Sequence, residues 1–470
     1  MTSIHRFPAF FAFLFMTLLL FSPAYGADTE MKALTIDERI ARLEAAQSGI
    51  SAGDNTWMMV SAALVLMMSA PGLILFYGGL VRKKNVLATM MHTMFLMAFV
   101  SVLWMVYGYS MAFGEGNAFF GNPMQYFMLK GVDATPNTDY AGTIPHQTFM
   151  LFQMMFAIIT PALITGAFAE RIKFSAFVLF TFLWVTLVYF PLAHMVWGKG
   201  GLFNWALGGK MPVLDFAGGV VVHISSGVAA LVCAMVMGKR LGYPREPIFP
   251  HNVVYSLIGT GLLWVGWFGF NAGSAVSAGS LATSAFAATH FSAVGGALSW
   301  GVTEWMLRGK PSVLGVASGM VAGLATITPA SGFVSIPSAF IIGLAGGLFC
   351  YFAVAKLKAK LGYDDSLDVF GVHGVGSTVG MLLCGVFASA SVNPAIATTF
   401  QVNGEALSLA GGGAQVFNQL KAVLFTVVLS GVASFVILKL IDFTVGLRVT
   451  QEQEVIGLDL SEHDEKAYND

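Results

Sequence analysis

Eleven apolar stretches, each long enough to cross a hydrocarbon layer, restrict this chain more than any other feature: residues 57–80, 86–112, 147–169, 174–195, 215–238, 252–274, 281–306, 312–330, 336–356, 368–390 and 415–446. A helix needs about 20 residues to span such a layer. Without water, every backbone amide must find its bond inside its own segment, so runs of this length and number are compatible only with helices. Charged residues make up 10% of the 470 residues and hydrophobic ones 56%, whereas soluble domains carry near a quarter charged. An ordinary soluble enzyme is excluded. Lys plus Arg total 24 against 25 Asp plus Glu, which provides no basic field for nucleic acid. The expected fold is an all-α membrane protein of eleven transmembrane helices in a lipid bilayer.

The ends read differently. Residues 1–26 combine a basic start (His5, Arg6), an apolar run from Ala9 to Phe21 and the small-residue site Ala24-Tyr25-Gly26, the layout of a secretory signal peptide; an uncleaved first span is the alternative. Residues 27–55 are polar, with Ile36, Ile40 and Leu43 at helical spacing, and read as an exported N-terminal segment. The membrane domain covers 56–447 and a charged tail 448–470. Thirteen Lys and Arg side chains follow the odd-numbered spans, among them Arg82, Arg171, Arg240, Arg308 and Lys358, and three (Lys130, Lys199, Lys210) follow the even-numbered ones. Basic loops stay in the cytoplasm, so the N-terminus is expected outside, in the periplasm, and the C-terminus in the cytoplasm, across a cell inner membrane.

A polar signature recurs five spans apart. Asp215-Phe-Ala-Gly-Gly-Val-Val-Val-His223 opens the fifth span and Asp365-Ser-Leu-Asp-Val-Phe-Gly-Val-His373 the tenth, each placing a histidine eight residues after an aspartate. The first and sixth spans share an aromatic-glycine element, around Phe76 and Phe270. Five is odd, so the halves must run oppositely through the bilayer: two inverted five-helix repeats plus one extra helix. Sites in such proteins lie near the midplane, where the halves meet.

Histidines at membrane depth are expensive without a partner or a cavity, which makes His223 and His373 functional candidates. The plain alternative is two unrelated histidines, each bonded to a neighbouring carbonyl. Glycines crowd both, including Gly227 and Gly374, so their helices can approach closely. Asp215 has two compatible readings, a helix N-cap and a carboxylate favouring a cation at the outer mouth, roughly 12 Å along the helix from His223. Phe152, Phe156, Trp197 and Phe270 are singled out among many aromatics, although core packing or an interfacial belt is the ordinary role of each. Cys233, Cys350 and Cys384 have no paired spacing, and the histidine spacing fits no multi-ligand metal motif, so no metal or cofactor is implied. A b-type haem held by His223 and His373 is the reading from another class, and a membrane sensor that conducts little is a third.

Six motifs carry a resemblance. Phe152-Gln-Met-Met-Phe156-Ala, Gly166-Ala-Phe-Ala-Glu170-Arg171, Ala193-His194-Met-Val-Trp197-Gly, the Asp215 to His223 stretch, Gly266-Trp267-Phe-Gly-Phe270-Asn-Ala-Gly-Ser274 and Asp368-Val-Phe-Gly-Val-His373 resemble signatures of the Amt/Mep/Rh ammonium transporter family, bacterial Amt branch. The resemblance implies an ammonium transporter and no enzyme, taking ammonium with methylammonium as analogue. It further implies a binding site of Phe152, Trp197 and Ser274 supported by Asp215, a gate of Phe156 and Phe270, and a pore containing His223 and His373. It implies a homotrimer as well. The tail alone reads as a solvated end; by resemblance, Gln451-Glu-Gln-Glu, Gly457-Leu-Asp459 and Ala467-Tyr468 belong to an ordered tail that docks on the cytoplasmic loops and contacts a PII signalling protein.

That function is physically coherent. Carrying a small cation into low dielectric has an idealised cost of order 20 kcal/mol, while a desolvated cation–π contact returns about 2. Aromatics can therefore select the ion without carrying it through. Burial lowers an amine pKa by as much as about 3–5, so releasing the proton and passing neutral ammonia is the low-energy route. Imidazole, donor and acceptor near neutral pH, suits the ammonia and can relay the proton. The basic asymmetry predicts that a reporter fused after Asp470 is active only in the cytoplasm; activity on the outside would overturn the topology.

Overall fold

The computed structural model describes residues 35–37, 49–402 and 404–468. The expected signal peptide lies outside these, and of Ile36, Ile40 and Leu43 only Ile36 lies within them. In chain order the main helices are α1 (Ala52–Leu80), α2 (Lys83–Phe113), α3 (His146–Phe168), α4 (Phe174–Trp197), α5 (Gly219–Met237), α6 (Val253–Gly273), α7 (Ser280–Arg308), α8 (Val313–Ile327), α9 (Ile336–Leu361), α10 (Phe370–Phe387) and α11 (Gly413–Thr444). Nine of them are long and apolar enough to cross a membrane by length and composition. The two set apart are α7, which is long but rich in Gly, Ser, Thr and Ala, and α8, which has 15 residues. Within the described residues, the strands are one antiparallel pair of two residues each, β1 (Gln401–Val402) and β2 (Glu405–Ala406), beside isolated bridges such as Ile172 to Arg448.

The first helix starts earlier than the first apolar residue. Ser51 Oγ accepts a bond from the Asp54 amide at 3.2 Å, a cap that carries α1 back to Ala52, inside the stretch expected to be an exported segment. Within α1, Pro71 has no N–H to give and Ala70 departs from helical geometry (φ −127°, ψ 104°), which kinks the helix. The low apolarity of α7 has a packing cause. A Cβ on Gly296 would strike the Gly319 carbonyl of α8, and one on Gly343 of α9 would strike the Ser292 carbonyl, so the small residues that dilute its hydrophobicity let three backbones touch.

The junction of α5 and α10 is built likewise. A Cβ on Gly227 would collide with the Gly374 amide. Each helix opens with a π-helical turn holding its histidine, Gly219–Ile224 and Phe370–Gly374. Each turn is preceded by a buried carboxylate that caps it five residues on: Val220 N to Asp215 at 2.8 Å and Phe370 N to Asp365 at 2.8 Å. The local geometry thus repeats where the sequence signature repeats.

Basic loops gather at one end, around buried carboxylates. Glu170 accepts from the Arg82 amide at 2.7 Å and pairs with the Arg82 guanidinium at 2.6 Å, and Arg240 pairs with Asp364 at 2.8 Å and reaches Glu170 at 3.5 Å. Glu170 sits in left-handed backbone, φ 73°, a conformation costing a non-glycine residue about 1–2 kcal/mol and held here by its partners.

The tail is not a solvated end. Thr450 and Gln453 form a capping box for α12 (Gln451–Ile456), followed by α13 (Leu458–His463). Its carboxylates occupy the amides of other elements: Asp459 takes Ala88 N at 2.9 Å near the start of α2, Glu462 takes Phe174 N at 2.9 Å at the start of α4, and Glu454 takes Leu241 N at 2.7 Å and Arg448 at 2.6 Å. Leu458 is buried against Ala88 and Val449. Anchoring by charge at helix N-termini and a small apolar contact outweighs the polarity that suggested a free end.

Burial alone would raise the Glu170 carboxyl, but Arg240 and Arg82 hold it below the usual carboxylate value of 4.5. Glu170→Gln should therefore lower the melting temperature of the purified protein, by an energy of about 3 kcal/mol for a broken buried pair. The depressed pKa makes the wild-type contribution complete above the ordinary carboxylate range and lost as pH falls below it, so the two proteins should converge on acidification. Equal melting at neutral pH would refute this role.

Candidate functional site

Opposite in character to the basic end is an aromatic vestibule of about 330 Å³, whose walls include Trp197, Phe156, Gln153, Ser274 and Asp215. Trp197, at the last turn of α4, is held by its indole N–H, which donates to the Asp215 carbonyl at 3.1 Å. The Asp215 carboxylate is turned to the start of α5, accepting from the amides of Gly218 and Val220, both at 2.8 Å, and of Gly219 at 2.5 Å. The capping reading describes what its oxygens do; its backbone positions the tryptophan. Gly218 has φ +114° with Trp197 beside it, a conformation only glycine adopts freely. Ser274 Oγ donates to the Phe270 carbonyl at 2.8 Å, leaving its lone pairs for a donor in the cavity.

Phe152 is placed otherwise. It is fully buried, its ring 5.0 Å from that of Phe156, and it backs that ring without appearing on the vestibule wall. Phe156 and Phe270 stand at the floor, ring centres 4.3 Å apart and both fully buried. From Trp197 inward, ring centres follow at 5.9 Å to Phe156, 4.3 Å to Phe270, 5.9 Å to His223 and 5.1 Å to His373. Residues from α3, α4, α5, α6 and α10 thus form one file.

His223 and His373 lie nearly parallel, at 13°, with their Nδ1 atoms 3.1 Å apart. A bond between two Nδ1 atoms uses one proton, so two neutral rings turn unlike Nε2 atoms outward, one a donor and one an acceptor. Nε2 of His223 is buried with no protein partner. Beside the pair is an enclosed space of about 10 Å³ with walls from Leu73, Ile159, Val222, Leu263, Trp267 and Val321, at the threshold for one water-sized molecule. Rings in direct contact leave no room for an iron between them, so the haem reading does not fit. Among the described residues, no group of three or more His, Cys, Asp or Glu side chains could hold a metal ion.

Residues 56–468 match the model of the Ammonium Transporter Family. The chain belongs to that family. It is 47% identical over 418 residues to an ammonium transporter of Bacillus subtilis, covering 89% of this chain and 99% of that protein. To an ammonium transporter of Aquifex aeolicus it is 44% identical over 427 residues, 90% and 95% of the two chains. Among solved structures it is similar to Saccharomyces cerevisiae Mep2, with TM-score 0.78, 33% identity and coverage of 87% and 90%. It is also similar to a sensor Amt protein, with TM-score 0.78, 27% identity and coverage of 87% and 98%. Within this family of transporters the chain is a multi-pass membrane protein for ammonium, and not an enzyme.

Three contributors escaped the sequence reading. Trp267 stacks on His223 at 5.5 Å and donates to Thr328 Oγ1 at 2.9 Å; an intramembrane tryptophan gives no sign of which ring it will meet. Gln153 was visible one residue from Phe152, and the helical turn puts it, not Phe152, on the vestibule wall. Glu170 stood inside a quoted motif, and a carboxylate directly after an apolar run, beside Arg171, was the available signal.

Trp197→Leu keeps bulk and removes the π face. Apparent affinity for methylammonium should fall by about 5–30-fold, the equivalent of a 1–2 kcal/mol cation–π contact, with expression and folding retained. An unchanged concentration dependence of uptake would remove Trp197 from recognition.

Proposed function

We propose that this transporter binds ammonium in the vestibule against Trp197 and Ser274, with Phe152 backing the site and Asp215 supporting it. The ion gives up its proton at the Phe156–Phe270 gate and moves as ammonia past His223 and His373, and the pair relays the proton. The observation that carries this reading is the direct His223–His373 contact beside a space for one small molecule, behind two closed rings. A hydrated ion has no room there, and a bare one would meet apolar walls and two neutral imidazoles with no counter-charge. Ammonia offers a lone pair to one Nε2 and hydrogens to another. Potassium cannot shed its charge and is excluded on the same ground.

The wider reading follows the same lines. All of α1 to α11 cross the bilayer in two inverted five-helix halves plus one, a layout supported by the matching Asp215–His223 and Asp365–His373 turns. The chain is delivered to the inner membrane by a cleaved signal peptide at 1–26, and 27–55 begins outside. Its basic loops and tail face the cytoplasm, supported by their gathering at a single end. It works as a homotrimer, and the docked tail offers a PII signalling protein a surface composed with the cytoplasmic loops.

His373→Leu should abolish ammonium transport by removing the hydrogen-bonding partner from the passage. His373→Glu should instead admit water and let cations pass intact, so potassium currents should appear where the wild type has none. Currents of reconstituted variants on solid-supported membranes, with uptake measured in parallel, decide the matter. Full rate and selectivity in both variants would make the histidines structural and end the deprotonation account.

A further inference from the structure

The vestibule is far larger than the ion it is built to admit. One water molecule, close to ammonium in size, needs about 10–15 Å³ in the measure by which the cavity holds about 330 Å³, the size of a site for a small organic ligand. Its walls beyond Trp197 carry two further ring clusters. Phe113 and Phe149 lie against Tyr140 at 5.2 and 5.3 Å, and Trp205 and Phe216 lie against Phe333 at 5.9 and 5.4 Å.

Apart from Gln153 and Ser274 near the gate, the polar side chains of the chamber are largely engaged. Both Asp139 oxygens take Lys199, at 3.0 and 2.9 Å, Asn204 Oδ1 takes the amides of Ala206 and Leu207 at 2.9 and 2.8 Å, and the Asp215 carboxylate caps α5. A cation rich in N–H donors finds few acceptors among them. One whose charge is spread over methyl groups needs none, and π faces are what hold such ions.

We propose that this vestibule is also a binding chamber for fully alkylated ammonium ions of tetramethylammonium size, which occupy it and block the pore without passing. The gate rings, 4.3 Å apart, are shut to such an ion, and with no N–H it has no proton to lose. The inference rests on the reading that the vestibule recognises cations.

The test is uptake of labelled methylammonium by cells expressing the full chain, with tetramethylammonium as probe and neopentyl alcohol as its neutral counterpart. Tetramethylammonium should raise the half-saturation for methylammonium in proportion to its concentration, leave the maximal rate unchanged and not itself accumulate, while the alcohol has no effect. Trp205→Leu should weaken the block about five- to tenfold, more than it shifts methylammonium half-saturation, and Trp205→Phe should restore most of it. No block, a block that does not compete, equal block by the alcohol, accumulation of the probe, or a block indifferent to Trp205→Leu would each overturn the proposal. Recognition at Trp197 is judged without the probe, by the Trp197→Leu uptake curve, so either reading can fail alone.

Discussion

The contact between the Nδ1 atoms of His223 and His373 sets terms that much of the surrounding structure meets. Two imidazoles can share one proton at 3.1 Å only if α5 and α10 cross with their backbones nearly touching, and Gly227 opposite Gly374 permits that crossing. Each histidine leaves its helix from a π-helical turn, where the wider turn changes the direction of the side chain relative to the rest of the helix. Such a turn leaves amides unbonded at its start, and the carboxylates of Asp215 and Asp365 satisfy them. The oxygens of Asp215, which the sequence also allowed as an ion-attracting group, and those of Asp365 thereby bond the turns that carry the histidines.

Aromatic rings then complete the path. Trp197 is fixed by the Asp215 backbone, so the residue that caps α5 also orients the first ring of the file. Phe156 and Phe270 seal the floor, and Phe152 stands behind Phe156. On the proposed reading, a closed stack in front of a hydrogen-bonding pair turns back a charge and passes a small neutral molecule that can give and accept hydrogen bonds. The family to which the chain belongs transports ammonium, and the geometry is one in which its selectivity can arise from the chemistry of the ion.

At the other end, carboxylates do a different kind of work. Glu170 neutralises Arg82 and Arg240, whereas Glu454, Asp459 and Glu462 of the tail bond amides of the loops and of the first turns of α2 and α4. Asp459 and Glu462 meet amides near helix N-termini, and Glu454 meets a loop amide and Arg448. The same composition read as a solvated segment, since charge alone does not disclose what it will face.

Much was legible before any coordinates. Long apolar runs without charge can be only helices, and the recurrence of Asp and His eight residues apart marked the paired turns, because local spacing along a helix is a property of the chain itself. Element ends were less legible: α1 begins at Ala52 through the Ser51 cap, upstream of the apolar run that announced it. Contacts between distant segments lay beyond the sequence. That Gln153 and not Phe152 reaches the vestibule wall, that Trp267 backs His223, and that Asp459 caps α2 from 371 residues away depend on how helices rotate and pack. Sequence by itself determined which segments are helical and which residues share a turn, because those follow from backbone bonding and periodicity; tertiary structure alone decided which faces meet, because that is settled by steric fit between segments with no common local order.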